Sequence, residues 1–127
     1  MARREVQLTG ELQLQAMRAL WRLGQGSVEE VRKKLPARQR GAYTTVQTVL
    51  NRLADRGLLK RRREGKTIFY EPKISEADYF SRSLRRTLGQ ASADARRSAL
   101  ANVVGELDPK ELDEIEALAQ EIARRRK

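Results

Sequence analysis

Neither cysteine nor histidine occurs among the 127 residues. The first absence excludes a disulfide framework, a zinc knuckle or ribbon, and a thiol nucleophile. The second removes the commonest general base and the commonest metal ligand, and with them every Ser-His-Asp arrangement. Aromatics make up 5% of the chain and prolines number three. Apolar runs are only a few residues long, so none is a candidate to span a bilayer. The opening Met-Ala-Arg-Arg-Glu leads into no apolar signal core. The expectation is a cytoplasmic protein that is not an enzyme and takes no cofactor, no metal and no small-molecule substrate.

What the chain has in abundance is positive charge. Lys and Arg number 27 against 17 Asp and Glu, a formal net charge of +10. The excess is lopsided: residues 1–72 hold 16 basic and 7 acidic side chains, whereas residues 73–127 hold 11 and 10. Its densest run is Lys60-Arg61-Arg62-Arg63, with Lys66 close behind. Such asymmetry points to a polyanionic partner for the first half and a different task for the second.

Periodicity supplies the elements. A first helix is predicted from an N-cap at Thr9, with Leu12, Ala16, Leu20 and Leu23 on one face and Gly24 and Gly26 as stops. Ser27-Val28-Glu29-Glu30 reads as a capping box opening a short helix that Pro36 forces to end by Leu35. A polar loop, 37–41, leads to a third helix from Tyr43 or Thr44, with Val46, Val49, Leu50 and Leu53 as its buried stripe and Gly57 as its left-handed terminator. Two strands, 58–63 and 67–71, flank Glu64-Gly65-Lys66 as a hairpin.

From Ser75 the composition changes. Ser75 caps a helix through Asp78, and Ile74 is placed to staple onto Tyr79. A second helix follows from about Ser92, and Asp108-Pro109-Lys110-Glu111 starts a third. The last helix is expected to bury Leu112, Ile115, Leu118, Ala119 and Ile122. These helices carry too thin a core to stand alone, and the economical solution is a second copy of the chain. The residues expected to meet it are Phe80, Leu84 and Leu88, then Leu100, Val103, Val104 and Leu107, then Leu112, Ile115, Leu118 and Ile122. Refolding onto the first half as a single core is the alternative.

The resulting fold class is mainly α with a small β-hairpin: an N-terminal winged helix-turn-helix DNA-binding domain over residues 1–74, then a three-helix dimerisation region over residues 75–127. A helix fits the major groove and reads base edges with its first turns. On the third helix the candidates are Tyr43, Thr44, Thr45, Gln47, Thr48, Asn51 and Arg52. The Thr hydroxyls are short enough not to hold the helix away, Gln47 can pair with an adenine edge, and Thr methyls can pack on thymine. Asn51 and Arg52 lie further along, nearer backbone phosphates, and Asp55 would be repelled by them. Lys60, Arg61, Arg62, Arg63 and Lys66 on the hairpin are candidates for phosphate contact, or for one Arg in the minor groove.

Residues 43–53 (Tyr-Thr-Thr-Val-Gln-Thr-Val-Leu-Asn-Arg-Leu), Arg56-Gly57-Leu58-Leu59, Gly65-Lys66 and Tyr70-Glu71-Pro72 resemble the penicillinase-repressor family, also called BlaI/MecI. The similarity extends through Leu8 to Trp21 on one side and Ser75 to Tyr79 on the other. It implies a homodimeric repressor bound to a palindromic double-stranded operator. In well-known members a membrane-bound sensor protease responds to β-lactam and triggers cleavage between an Asn and an apolar residue; Asn102-Val103 matches that position. Copper-responsive relatives carry a C-terminal cysteine cluster, which this chain does not have. The leading expectation is thus a dimeric, sequence-specific repressor. A non-specific architectural DNA-binding protein and a winged-helix module for an acidic protein partner are the alternatives.

Overall fold

The computed structural model describes the backbone of residues 2–127 and the side chains from Gly10 onward. Helix α1 runs Ala2–Leu23, starting well before Thr9. Residues 2–8 are mostly good helix formers, so a helix nucleated downstream extends back through them. The side chain of Thr9 lies outside the described residues. The Gly26–Ser27 pair forms a two-residue strand, β1, and α2 follows at Val28–Lys34. The capping box at Ser27 forms as the sequence predicts: the Glu30 amide donates to Ser27 Oγ and the Ser27 amide donates to Glu30 Oε1. Ala37–Gln39 is a short 3₁₀ turn where the pattern gave only a polar loop.

Helix α3 spans Tyr43–Asp55. It closes on a Schellman motif: the Leu58 amide donates to Leu53 O and the Gly57 amide to Ala54 O, with Gly57 at φ +81°. Strands β2 (Leu59–Glu64) and β3 (Thr67–Pro72) pair antiparallel from Leu59↔Pro72 to Glu64↔Thr67. That register leaves a two-residue turn, with Gly65 at φ +63° supplying the positive φ that the first turn position requires. Strand β1 adds to the far edge of β3 through Gly26↔Tyr70 and Ser27↔Phe69, giving a three-stranded sheet in the order β1-β3-β2. Two residues are too few to show alternation, which is why β1 has no signature in the sequence.

One core holds these elements together. Ala16, Met17, Ala19 and Leu20 of α1 meet Val28, Val31 and Leu35, the α3 stripe Val46, Val49, Leu50 and Leu53, and Leu59, Tyr70 and Ile74 from the wing and its exit. Each large apolar side chain sealed this way contributes roughly 1.5–3 kcal/mol. Trp21 donates its indole N–H to Ile74 O at 3.0 Å and meets Tyr79 edge-on at a centroid distance of 5.4 Å, which ties the chain leaving β3 back to α1.

The chain forms two compact units, one through Ser81 and the other Arg82–Lys127. Helix α4 (Glu76–Gly89) starts in the first, its Asp78 amide capped by Ser75 Oγ. Helix α5 (Ala93–Gly105) starts where the sequence places it, with Ser92 as its N-cap, and α6 (Pro109–Arg125) has the predicted cap at Asp108, with Glu111 completing its box. Burial departs from the expectation. No residue of α4, α5 or α6 is buried, and Leu112, Ile115, Leu118, Ala119 and Ile122 are all exposed in the single chain. Leu84 at 62%, Val103 at 61% and Leu118 at 53% are among the most exposed large apolar residues. At the start of α4, Tyr79 and Phe80 meet the Trp21 ring, at centroid distances of 5.4 and 6.4 Å, whereas the apolar residues of α5 and α6 are left largely in solvent.

Truncating Leu50, fully buried where α3 meets the other helices, is expected to lower the unfolding free energy by about 2–5 kcal/mol in Leu50→Ala, read by chemical denaturation.

Candidate nucleic-acid interface

Burial of Val46, Val49, Leu50 and Leu53 decides which way the rest of α3 faces. Tyr43, Thr44, Thr45, Thr48 and Arg52 are exposed, and Gln47 and Asn51 are half-buried. The Thr48 hydroxyl donates to Thr44 O at 2.9 Å, so its proton is used within the helix and its methyl and oxygen lone pairs remain for a partner. No side chain caps the start of α3 and its first turn has no acid. The positive end of the helix dipole is therefore left for an external anion.

Two arginines that sequence reading passes over hold the loop leading into this helix. Arg32 donates Nε–H to Gly41 O at 2.8 Å, and Arg40 donates to Lys33 O and Leu35 O at 3.0 and 3.1 Å. Nothing in their local spacing marks this role, because the carbonyls they serve become neighbours only once the loop folds.

The five basic residues of the hairpin separate into two kinds. Alternation places Arg61 and Arg63 on the face of β2 that carries buried Leu59, in register with Tyr70 and Ile68, while Lys60 and Arg62 face the other way. Arg62 donates to Gln25 Oε1 at 2.8 Å and to Glu64 at 3.1 Å, and its guanidinium lies 5.3 Å from the centroid of the Phe69 ring. Arg61 is paired with Asp55 at 3.0 Å. Among the described residues, the side chains of Lys60, Arg63 and Lys66 have no such partner.

Asn51 is where helix and wing join. Its Oδ1 accepts from the Tyr70 hydroxyl at 2.7 Å and from Arg61 Nη1 at 3.1 Å. Burial pushes the Tyr70 phenol above its ordinary value, with the Arg61 charge acting against that and Tyr43 adding to it. The hydroxyl is thus a fixed donor at neutral pH. With side chains 43% and 66% exposed, the Arg61–Asp55 pair contributes no more than about 1 kcal/mol to stability, so its effect lies in geometry. The sequence-derived candidates Asn51 and Arg61 are thus brought together with Tyr70 and Asp55, a grouping that spacing alone does not reveal. Asn102 and Val103 lie on exposed helix in the second unit. Among the described residues no group of acidic side chains is placed to hold a metal ion, and no helix is long and apolar enough to cross a membrane.

The family model described as penicillinase repressor matches residues 9–122. The penicillinase repressor of Bacillus licheniformis is 27% identical over 119 residues, which cover 92% of this chain and 93% of that protein. The transcriptional regulator BlaI of Mycobacterium tuberculosis is 33% identical over 116 residues, covering 90% and 82%. Among solved structures, monomeric Bacillus licheniformis BlaI in complex with the blaP half-operator is similar at 34% identity and a TM-score of 0.46, over 54% of this chain and 83% of that one.

The two kinds of wing cation are expected to behave differently on duplex DNA. In a fluorescence-anisotropy salt series, Arg63→Ala should flatten the plot of log affinity against log salt by about 0.9, the value for one phosphate contact. Arg62→Ala should flatten it by less than half of that, because its guanidinium is already engaged.

Proposed function

The chain belongs to the penicillinase-repressor family, and on that premise we propose that it is a homodimeric transcriptional repressor that seats two copies of α3 on a palindromic operator. The observation that carries the reading is the outward face of α3. Thr44, Thr45, Gln47 and Thr48 are accessible, short or flexible, and uncharged, beside a wing with spare cations. Gln47 offers a bidentate amide to adenine and Thr48 its methyl to thymine, while Lys60, Arg63 and Lys66 grip phosphate without reading sequence. Repression follows from occupancy of the promoter, since none of these groups makes or breaks a bond. The site of action is the cytoplasm, where the operator is.

The dimer is supported by the exposed apolar stripes of the second unit, chiefly Leu84, Leu100, Val103, Ile115, Leu118 and Ile122. A chain with three such stripes and no buried residue on their helices calls for a covering surface, and a second copy offers matching ones. Proteolytic relief belongs to the same proposal. A membrane-bound sensor protease would cut Asn102-Val103, splitting α5. Because that bond lies within a helix, cleavage there requires α5 to unwind locally.

Analytical ultracentrifugation of the wild type should give a dimer, and Ile115→Asp with Leu118→Asp should give a monomer with weakened operator binding. A wild-type monomer at micromolar concentration would contradict the dimer. In competition assays at fixed salt, Gln47→Ala should cost roughly 1–3 kcal/mol on the preferred duplex and almost nothing on random duplex. Equal losses on both would favour a non-specific architectural role.

A further inference from the structure

An acid at the far end of a DNA-facing helix is out of place on two counts. Asp55 sits in the last turn of α3, where the helix dipole disfavours negative charge, and beside Arg61 of the most basic run of the chain. It is not idle, however. Its Oδ1 accepts from Arg61 Nη2 at 3.0 Å, while Arg61 Nη1 donates to Asn51 Oδ1 at 3.1 Å, the same oxygen that accepts from Tyr70 at 2.7 Å. Asn51 and Asp55 are one helical turn apart, so a single guanidinium bridges two successive turns of α3 from β2. With both acceptor sites of Asn51 Oδ1 used, the orientation of its amide is settled and its two N–H donors remain available.

Resting on the repressor reading above, we propose that Asp55 is a specificity-determining residue: it withholds Arg61 from phosphate and, through the Asn51 oxygen that Arg61 shares with Tyr70, fixes the root of the wing against the recognition helix. Phosphate contacts raise affinity for every sequence alike, whereas base contacts separate one sequence from another. A cation taken out of the phosphate-binding set therefore lowers random binding. The same cation used as a brace keeps the wing and the reading face in one relative orientation, as simultaneous contact with groove and backbone demands. Arg63, two residues along on the same face of β2 and without a counter-ion, is left as the gripping arginine.

The test compares wild type, Asp55→Ala, Arg61→Gln, their double variant and Tyr70→Phe on the wild type's preferred duplex and on random duplex across a salt series. Asp55→Ala should bind random duplex severalfold more tightly, steepen the salt slope by about 0.9 and lower the preferred-to-random ratio. Adding Arg61→Gln should abolish that gain. Arg61→Gln alone, and Tyr70→Phe, should loosen the preferred duplex severalfold with the slope unchanged. The inference is overturned if Arg61→Gln alone flattens the slope by about 0.9, since the guanidinium would then already be on phosphate. It is equally overturned if the Asp55→Ala gain survives in the double variant, since the carboxylate's own repulsion would then account for it. A wild type that discriminates between duplexes while the variants fail in these ways sinks this inference alone. A wild type that binds no duplex sinks the repressor reading along with it.

Discussion

The seating of α3 on α1 and α2 is the contact from which the rest follows. Four side chains, Val46, Val49, Leu50 and Leu53, are drawn out of water against Met17, Leu20, Val31 and Leu35. Their spacing fixes the rotation of the helix about its own axis, and that rotation turns Thr44, Gln47 and Thr48 outward. A change of one position in the stripe would rotate the polar face by about 100° and take those groups away from any groove. The buried stripe thus determines which face of α3 is turned outward without belonging to it.

Around this helix several cations are spent on the protein's own geometry. Arg32 and Arg40 hold the entry loop by backbone carbonyls, and Arg61 ties the wing to Asn51 and Asp55. Arg62 is occupied by Gln25, Glu64 and the Phe69 ring. The net charge of +10 therefore overstates the number of cations free for a polyanion. A strongly basic segment needs many guanidiniums simply to set its own loops and strands at defined angles. Those that remain unpaired can then meet phosphate at fixed positions.

Much of the fold was legible in the sequence because its signals are local. The capping boxes at Ser27 and Asp108, the terminator at Gly57 and the turn at Gly65 each depend on residues within a few positions of one another. What the sequence did not reveal is long-range. Strand β1 exists only because β3 offers it a free edge, and the Tyr70–Asn51 bond joins residues 19 apart. Thr9 has the side chain of an N-cap, yet α1 begins at Ala2 and runs straight through it, because a long helix propagates past a local capping signal. For the interface, the outward Thr face of α3, with half-buried Gln47 on its flank, was readable from periodicity. Which arginines are free was not, since pairing depends on how the hairpin leans on α3. The apolar stripes of α4–α6 were legible as well, but a stripe does not name the surface that covers it.

Sequence discrimination by the outward face of α3, delivered by two copies of the chain, is the central claim, and selection of bound molecules from a pool of random duplex tests it most directly. That selection should enrich an inverted repeat whose half-sites are centred about one helical turn, roughly 10 base pairs, or a multiple of it, apart. Recovery of no enriched sequence, or of a single site without two-fold symmetry, would contradict the claim.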